Sequence, residues 1–191
     1  MAQSNKSFDY GGAAFRARAA HERLKAIASD PMRRDSGTSP KWAKNKAEWE
    51  KAAQDFHAAV AAAYPPGLFE ALDSLRAGNA TRIDLLLDFL AADPMLFRSG
   101  YVKARIARAL KSALLTPRQK QQVEGIVLNL IDRRASQEFR DYCRLAFRID
   151  TAELRAALRR KSTDADARAA RRANWMLAYL EMRQPEPSPK R

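Results

Sequence analysis

Cysteine occurs once, at Cys143, so no disulfide can form within the chain and a cysteine-built zinc or iron–sulfur site lacks ligands. Histidine occurs twice, at His21 and His57, and neither has a companion at ligand spacing. No metal or cofactor is expected. Glycine is scarce, at 7 residues of 191, and no Gly-rich phosphate loop, nucleophile elbow or HExxH motif is present. No stretch approaches the roughly 20 apolar residues that cross a bilayer, and residues 1–10 are polar where a secretory leader would be apolar. The expected setting is the reducing cytoplasm, with no membrane partner. No segment alternates apolar and polar residues beyond four positions, so no strand is expected.

What is present is helix-forming. Ala, Arg, Leu, Glu, Gln and Lys dominate nearly every segment. With 46 % apolar and 30 % charged residues, the chain has enough apolar surface to fold and is not generally disordered. The reading is all-α: an irregular helical bundle or a short α-solenoid, with a long N-terminal helical hairpin.

Residues 1–12 are expected to be a flexible terminus, and residues 13–64 the hairpin. Its first helix, over about 13–28, has Phe15, Leu24 and Ile27 as sparse apolar residues. A loop follows over 30–40 (DPMRRDSGTSP), closed by Ser39 as N-cap with Pro40 at the first helical position. The second helix, about 40–63, repeats Trp42, Trp49, Phe56 and Ala63 every seven residues, a coiled-coil-like ridge that must lie against something. Pro65, Pro66 and Gly67 end it.

A basic helical domain is expected over 68–183, built from short helices near 68–77, 81–92, 99–114, 117–133, 137–149, 151–161 and 163–182. Gly78 and the Asp93–Pro94 pair are stops, and Thr116, Thr151 and Thr163 are caps. The helix from Pro117 carries Val123, Ile126, Val127, Leu128, Leu130 and Ile131, which makes it the centre of the core. Gly125 within it implies close helix–helix approach. The Pro-rich tail, residues 184–191, is expected to be disordered.

Between about residues 81 and 180, the helix-pair succession, the Asp93–Pro94 turn, the RDYCRLAF run over 140–147 and the closing NWMLAYL together resemble a HEAT-type α-solenoid. That resemblance implies a curved binding surface, since such solenoids mostly serve as interaction scaffolds and some basic ones hold nucleic acid.

Charge is the sharpest feature. Residues 1–97 hold 13 Lys and Arg against 12 Asp and Glu, whereas residues 98–191 hold 22 against 10. Nearly all of the +13 therefore sits in the C-terminal half, which favours a polyanionic partner. Arg140, Arg144 and Arg148 recur every fourth position, opposite Phe139, Tyr142, Cys143 and Ala146. Arg98, Tyr101, Arg105 and Arg108 share one third of their helix, and Arg168, Arg171 and Arg172 share a face with Trp175 and Tyr179. Arginine beside an aromatic ring suits nucleic acid, with guanidinium on phosphate and ring on base. The same residues also suit plain solvated faces, with Arg140 and Arg144 paired locally to Asp141 or Glu138.

Trp42, Trp49 and Phe56 fit either an internal seam or a partner interface, the latter including a homo-oligomer. Cys143 reads as a small buried hydrophobe. Asp84 with Asp88, four residues apart, reads as a solvated helix face. The whole points to a non-enzymatic interaction protein that binds nucleic acid backbone, or an acidic protein surface, through its arginine faces. The alternative is a protein–protein adaptor or assembly subunit working through the N-terminal aromatic ridge.

Overall fold

The computed structural model describes residues 8–28, 40–133 and 138–182, without the side chains of residues 40–43. The expected loop over 30–39, the tail over 184–191 and the Ser39 cap lie outside the described residues. Among the described residues every regular element is a helix: α1 (Tyr10–Ala28), α2 (Pro40–Ala61), α3 (Leu68–Arg76), α4 (Ile83–Ala92), α5 (Ser99–Ser112), α6 (Pro117–Arg133), α7 (Phe139–Ile149), α8 (Ala152–Lys161) and α9 (Ala167–Glu181). None is long and apolar enough to cross a membrane.

The chain divides into two compact units, one reaching to Leu68 and taking in Ala92–Ser99, the other formed by Phe69–Ala91 and the residues from Gly100 onward. The segment 92–99, which the sequence reading assigned to the basic domain, thus belongs with the N-terminal hairpin.

In the first unit, α1 begins three residues earlier than its glycines suggested. Asp9 is the reason: its carboxylate accepts the Gly12 N–H at 2.8 Å, capping the helix, and it folds over Gly12 where any Cβ would overlap it. The buried face of α1 is Ala13, Ala14 and Ala17, whereas Phe15 is exposed. Apolar cover for α2 therefore comes from small residues that let the two helices approach closely. Leu96 and Ala63 complete this alanine core, with Phe8, Ala59, Val60 and Tyr64 around it. Phe97 joins it by an edge contact with Phe56 at 5.5 Å, and its carbonyl oxygen accepts the Tyr64 hydroxyl at 3.4 Å.

In the second unit, α3 ends as the sequence reading expected. Gly78 takes φ 92°, its N–H reaching the Leu75 carbonyl while the Asn79 N–H reaches that of Ser74, the double closure of a Schellman turn. The central helix is α6, whose Val123, Ile126, Val127, Leu130 and Ile131 are buried and which packs against α7, α8 and α9. Gly125 departs from expectation: it is exposed, and a Cβ there would meet nothing within 4 Å. Asp84 and Asp88 on α4 accept side-chain hydrogen bonds from Gln119 and Gln122 on α6, at 3.0 and 3.1 Å.

Thr151 caps α8 by accepting the Leu154 N–H at 3.1 Å and donates its own hydroxyl to Glu124 at 2.6 Å, tying that cap to α6. Arg155 makes a two-pronged pair with Asp150, at 2.7 Å on each oxygen, and reaches the Leu180 carbonyl at the end of α9. The start of α9 lies later than Thr163. Asp166 is its cap, accepting the Arg168 N–H at 2.8 Å, while Thr163 donates to the Arg160 carbonyl at the end of α8.

Candidate anion-binding surface

The buried face of α7 consists of Phe139, Tyr142, Cys143, Leu145, Ala146 and Ile149, and one acid, Asp141, is buried with them. Asp141 organises the arginines. Its Oδ2 accepts from Arg108 of α5 at 3.0 Å, and its Oδ1 accepts from Arg144 of α7 at 3.0 Å. The hydrogen bond to Asp141 pushes the Arg144 guanidinium further towards its charged form, and the Tyr179 side chain of α9 lies close by. Arg108, Arg144 and Tyr179 thus come from three helices to one place.

The remaining α7 arginines flank this node. Arg140 and Arg148 lie one turn to either side of Arg144 and are exposed. On α9, Arg168 and Arg171 are exposed, and the Arg171 guanidinium lies 5.9 Å from the centre of the Trp175 ring. Trp175 is 52 % exposed and meets Phe139 of α7 edge-on at 6.3 Å. Phe139 pairs with Trp175 and Arg144 with Tyr179, so numbering rises in the same sense on both helices.

Arg172 is different. It is 6 % exposed, its Nε–H donates to the Ile131 carbonyl at 2.6 Å, and an Nη2–H reaches that of Asp132 at 3.3 Å. It is turned inward onto the end of α6 and is not available to a partner. The physical reason is its position: with Ala169, Ala173, Met176 and Leu180 it lies on the buried stripe of α9.

The α5 set is divided. Arg98 belongs to the first unit, with a left-handed backbone at φ 62° and its guanidinium 5.1 Å from the centre of the Phe97 ring. Tyr101, Arg105 and Arg108 are exposed on the outer side of α5 in the second unit. Arg105 and Arg76 approach Asp73 at 3.8 and 3.9 Å, loose contacts in which all three side chains stay substantially exposed. Arg76, Arg105 and Arg108 line a groove of about 740 Å³ between the end of α3 and α5.

The local pairing of Arg144 with Asp141 expected from the sequence is present, whereas the reach of Arg108 to that same acid, and the contacts of Arg76 and Arg105 with Asp73, are not foreshadowed there. Asp141 carries a legible signal, because it sits with Tyr142, Leu145 and Ile149 on the apolar side of its helix. Arg76 carries none.

Of the N-terminal ridge, Phe56 and Ala63 turn inward within their own unit. Phe56 is buried, stacked on His21 at 5.0 Å, with Ala52 and Ala63 buried along the same seam. Trp49 is half-buried, and the side chain of Trp42 lies outside the described residues. Cys143 is buried, and loss of hydration pushes its thiol up to about 12, so it holds its proton at neutral pH. Among the described residues no group of three His, Cys, Asp or Glu side chains could hold a metal ion.

Comparison with known protein families, with curated proteins and with solved structures finds no match.

Proposed function

We propose that this protein is a non-enzymatic binder of nucleic acid backbone, working through the arginine face that α5, α7 and α9 build in its second unit. The observation that carries the reading is the double use of Asp141, which holds Arg108 and Arg144 side by side with one guanidinium nitrogen each. A guanidinium has five N–H donors in a fixed fork. Most donors of Arg108 are left over after Asp141 is served, and its side chain is 51 % exposed.

Phosphate is the anion whose geometry matches such forks, and a polymer of phosphates would also use Arg140 and Arg148 along the α7 stripe. One buried carboxylate cannot neutralise this row. No base-reading motif is present in the sequence, so binding is expected to be governed by backbone contacts and to depend little on sequence.

The test is fluorescence anisotropy with generic duplex and single-stranded oligonucleotides at rising salt. Three phosphate contacts give a slope of log affinity against log salt of about −2.7, or a loss of roughly 40-fold between about 50 and 200 mM. Arg140→Glu with Arg148→Glu removes two exposed charges and leaves the Asp141 node intact. The double variant is expected to lose about tenfold or more in affinity with an unchanged melting temperature. Unchanged affinity in that variant rejects the reading.

A further inference from the structure

The groove between α3 and α5 has a composition that phosphate binding does not explain. On α5, positions 105, 108, 109 and 112 follow the i, i+3, i+4, i+7 rule and present one stripe: Arg105, Arg108, Ala109, Ser112. The floor is small and largely apolar, Ala109 and Ser112 continuing into Ala113, with Leu75 on the opposite wall. At its open end stands Leu114, 89 % exposed. Arg76 from α3 and Arg105 from α5 both approach the same Asp73 oxygen, and with Arg108 they line the groove.

We infer that this groove docks an acidic amphipathic helix of a partner protein. Four features lead to that occupant. The small floor lets a helix backbone come close, and the stripe from Arg105 to Ser112 spans about 10 Å, two turns of an incoming helix. Leu114, with Ala109 and Ala113 beside it, offers apolar surface for its apolar edge. Three arginines along the groove match a row of carboxylates on such a helix, and the contacts of Arg76 and Arg105 to Asp73 are long enough to exchange. Among the described residues there is no strand, so a peptide has no sheet edge to join, and a groove between helices suits a helical occupant.

Nucleic acid fits the groove less well than the α7 face. Ala109, Ala113, Leu75 and Leu114 give a base no ring to stack on, and a phosphate backbone would leave Leu114 uncovered. The two sites share Arg108, so their tests use different residues, Arg140 and Arg148 for the one and Arg105 and Leu114 for the other, and either assignment can fail alone.

The test uses the full chain and two labelled peptides of about 14 residues, identical in composition. One places Leu at i, i+3 and i+7 with Glu on both flanks, and the other is scrambled. Anisotropy at physiological salt is expected to show micromolar binding of the first and about tenfold weaker binding of the second. Arg105→Glu and Leu114→Ser, both at exposed positions, should each weaken the amphipathic peptide about fivefold or more without lowering the melting temperature. Arg140→Glu with Arg148→Glu should leave it unchanged. Equal affinity for both peptides overturns the inference, as does a Leu114→Ser variant that binds like the parent. An oligonucleotide whose own binding is lost in Leu114→Ser overturns it too, and assigns the groove to nucleic acid.

Discussion

Arg172 of α9 donates its Nε–H to the carbonyl oxygen of Ile131 at 2.6 Å, so that a buried guanidinium closes the end of α6. The last carbonyls of a helix have no partner within it, and buried ones must find one elsewhere. Arg172 supplies two donors, to Ile131 and Asp132, and Asp166 lies 3.9 Å from its charge. Arg172→Met is expected to cost about 2–4 kcal/mol in urea denaturation, because it strands buried carbonyls. Arg172→Lys should cost less, keeping the charge and losing the fork. Nucleic acid affinity of either folded variant should match the parent, which separates this arginine from Arg140 and Arg148.

Asp141 is at once a structural tie and a competitor for anions. Asp141→Asn removes a charge that Arg108 and Arg144 now share. Both arginines are partly exposed, so water screens the pairs and the stability loss is expected to be about 1–2 kcal/mol. Affinity for an oligonucleotide at low salt should rise severalfold, because two guanidiniums are released towards phosphate. Anisotropy and thermal melting on the same sample check both directions, and a fall in affinity would count against the proposed face.

Two glycines should respond in opposite senses to the same substitution. Gly125→Ala adds a methyl group to open space on an exposed part of α6, and is expected to stabilise by about 0.5–1 kcal/mol. Gly78→Ala also meets no atom, yet its backbone sits at φ 92°, so it is expected to destabilise by about 1 kcal/mol or more. Chemical denaturation of both variants isolates backbone conformation from packing.

The thiol of Cys143 provides a pH test. Burial raises it from 9.0 to about 12 in the folded chain, while the unfolded chain keeps the ordinary value. Between those values the unfolded state releases a proton that the folded state keeps. Stability is therefore full below about pH 9 and declines as pH rises towards 12. Cys143→Ala should flatten that part of the stability profile relative to the parent. A thiol reagent at neutral pH should label the native chain only at the rate of its opening.

Much of the helical layout was legible because local rules control it. Pro117, Thr151 and Gly78 mark ends through backbone geometry that neighbours in sequence settle, and the apolar stripe of α6 follows from its own periodicity. Boundaries failed where a side chain intervened. Asp9 extended α1 across Gly11 and Gly12, and Asp166 took the capping role assigned to Thr163. The arginine stripes were half legible. Helical spacing puts Arg140, Arg144 and Arg148 on one line, but spacing does not reveal that Asp141 would bind an arginine from another helix.

The sequence by itself determined that the chain is helical, which residues cap or end many of its helices, and that its positive charge lies in its second half. These properties depend on backbone preference, short-range periodicity and counting. Only the tertiary structure decided which arginines are spent and which are left over. A guanidinium turns inward or outward according to carbonyls and carboxylates far away in sequence, as Arg172 does for Ile131 and Arg108 for Asp141. Tertiary packing likewise placed Leu96 and Phe97 with the N-terminal hairpin, because apolar residues in a short connection are claimed by whichever core they can reach.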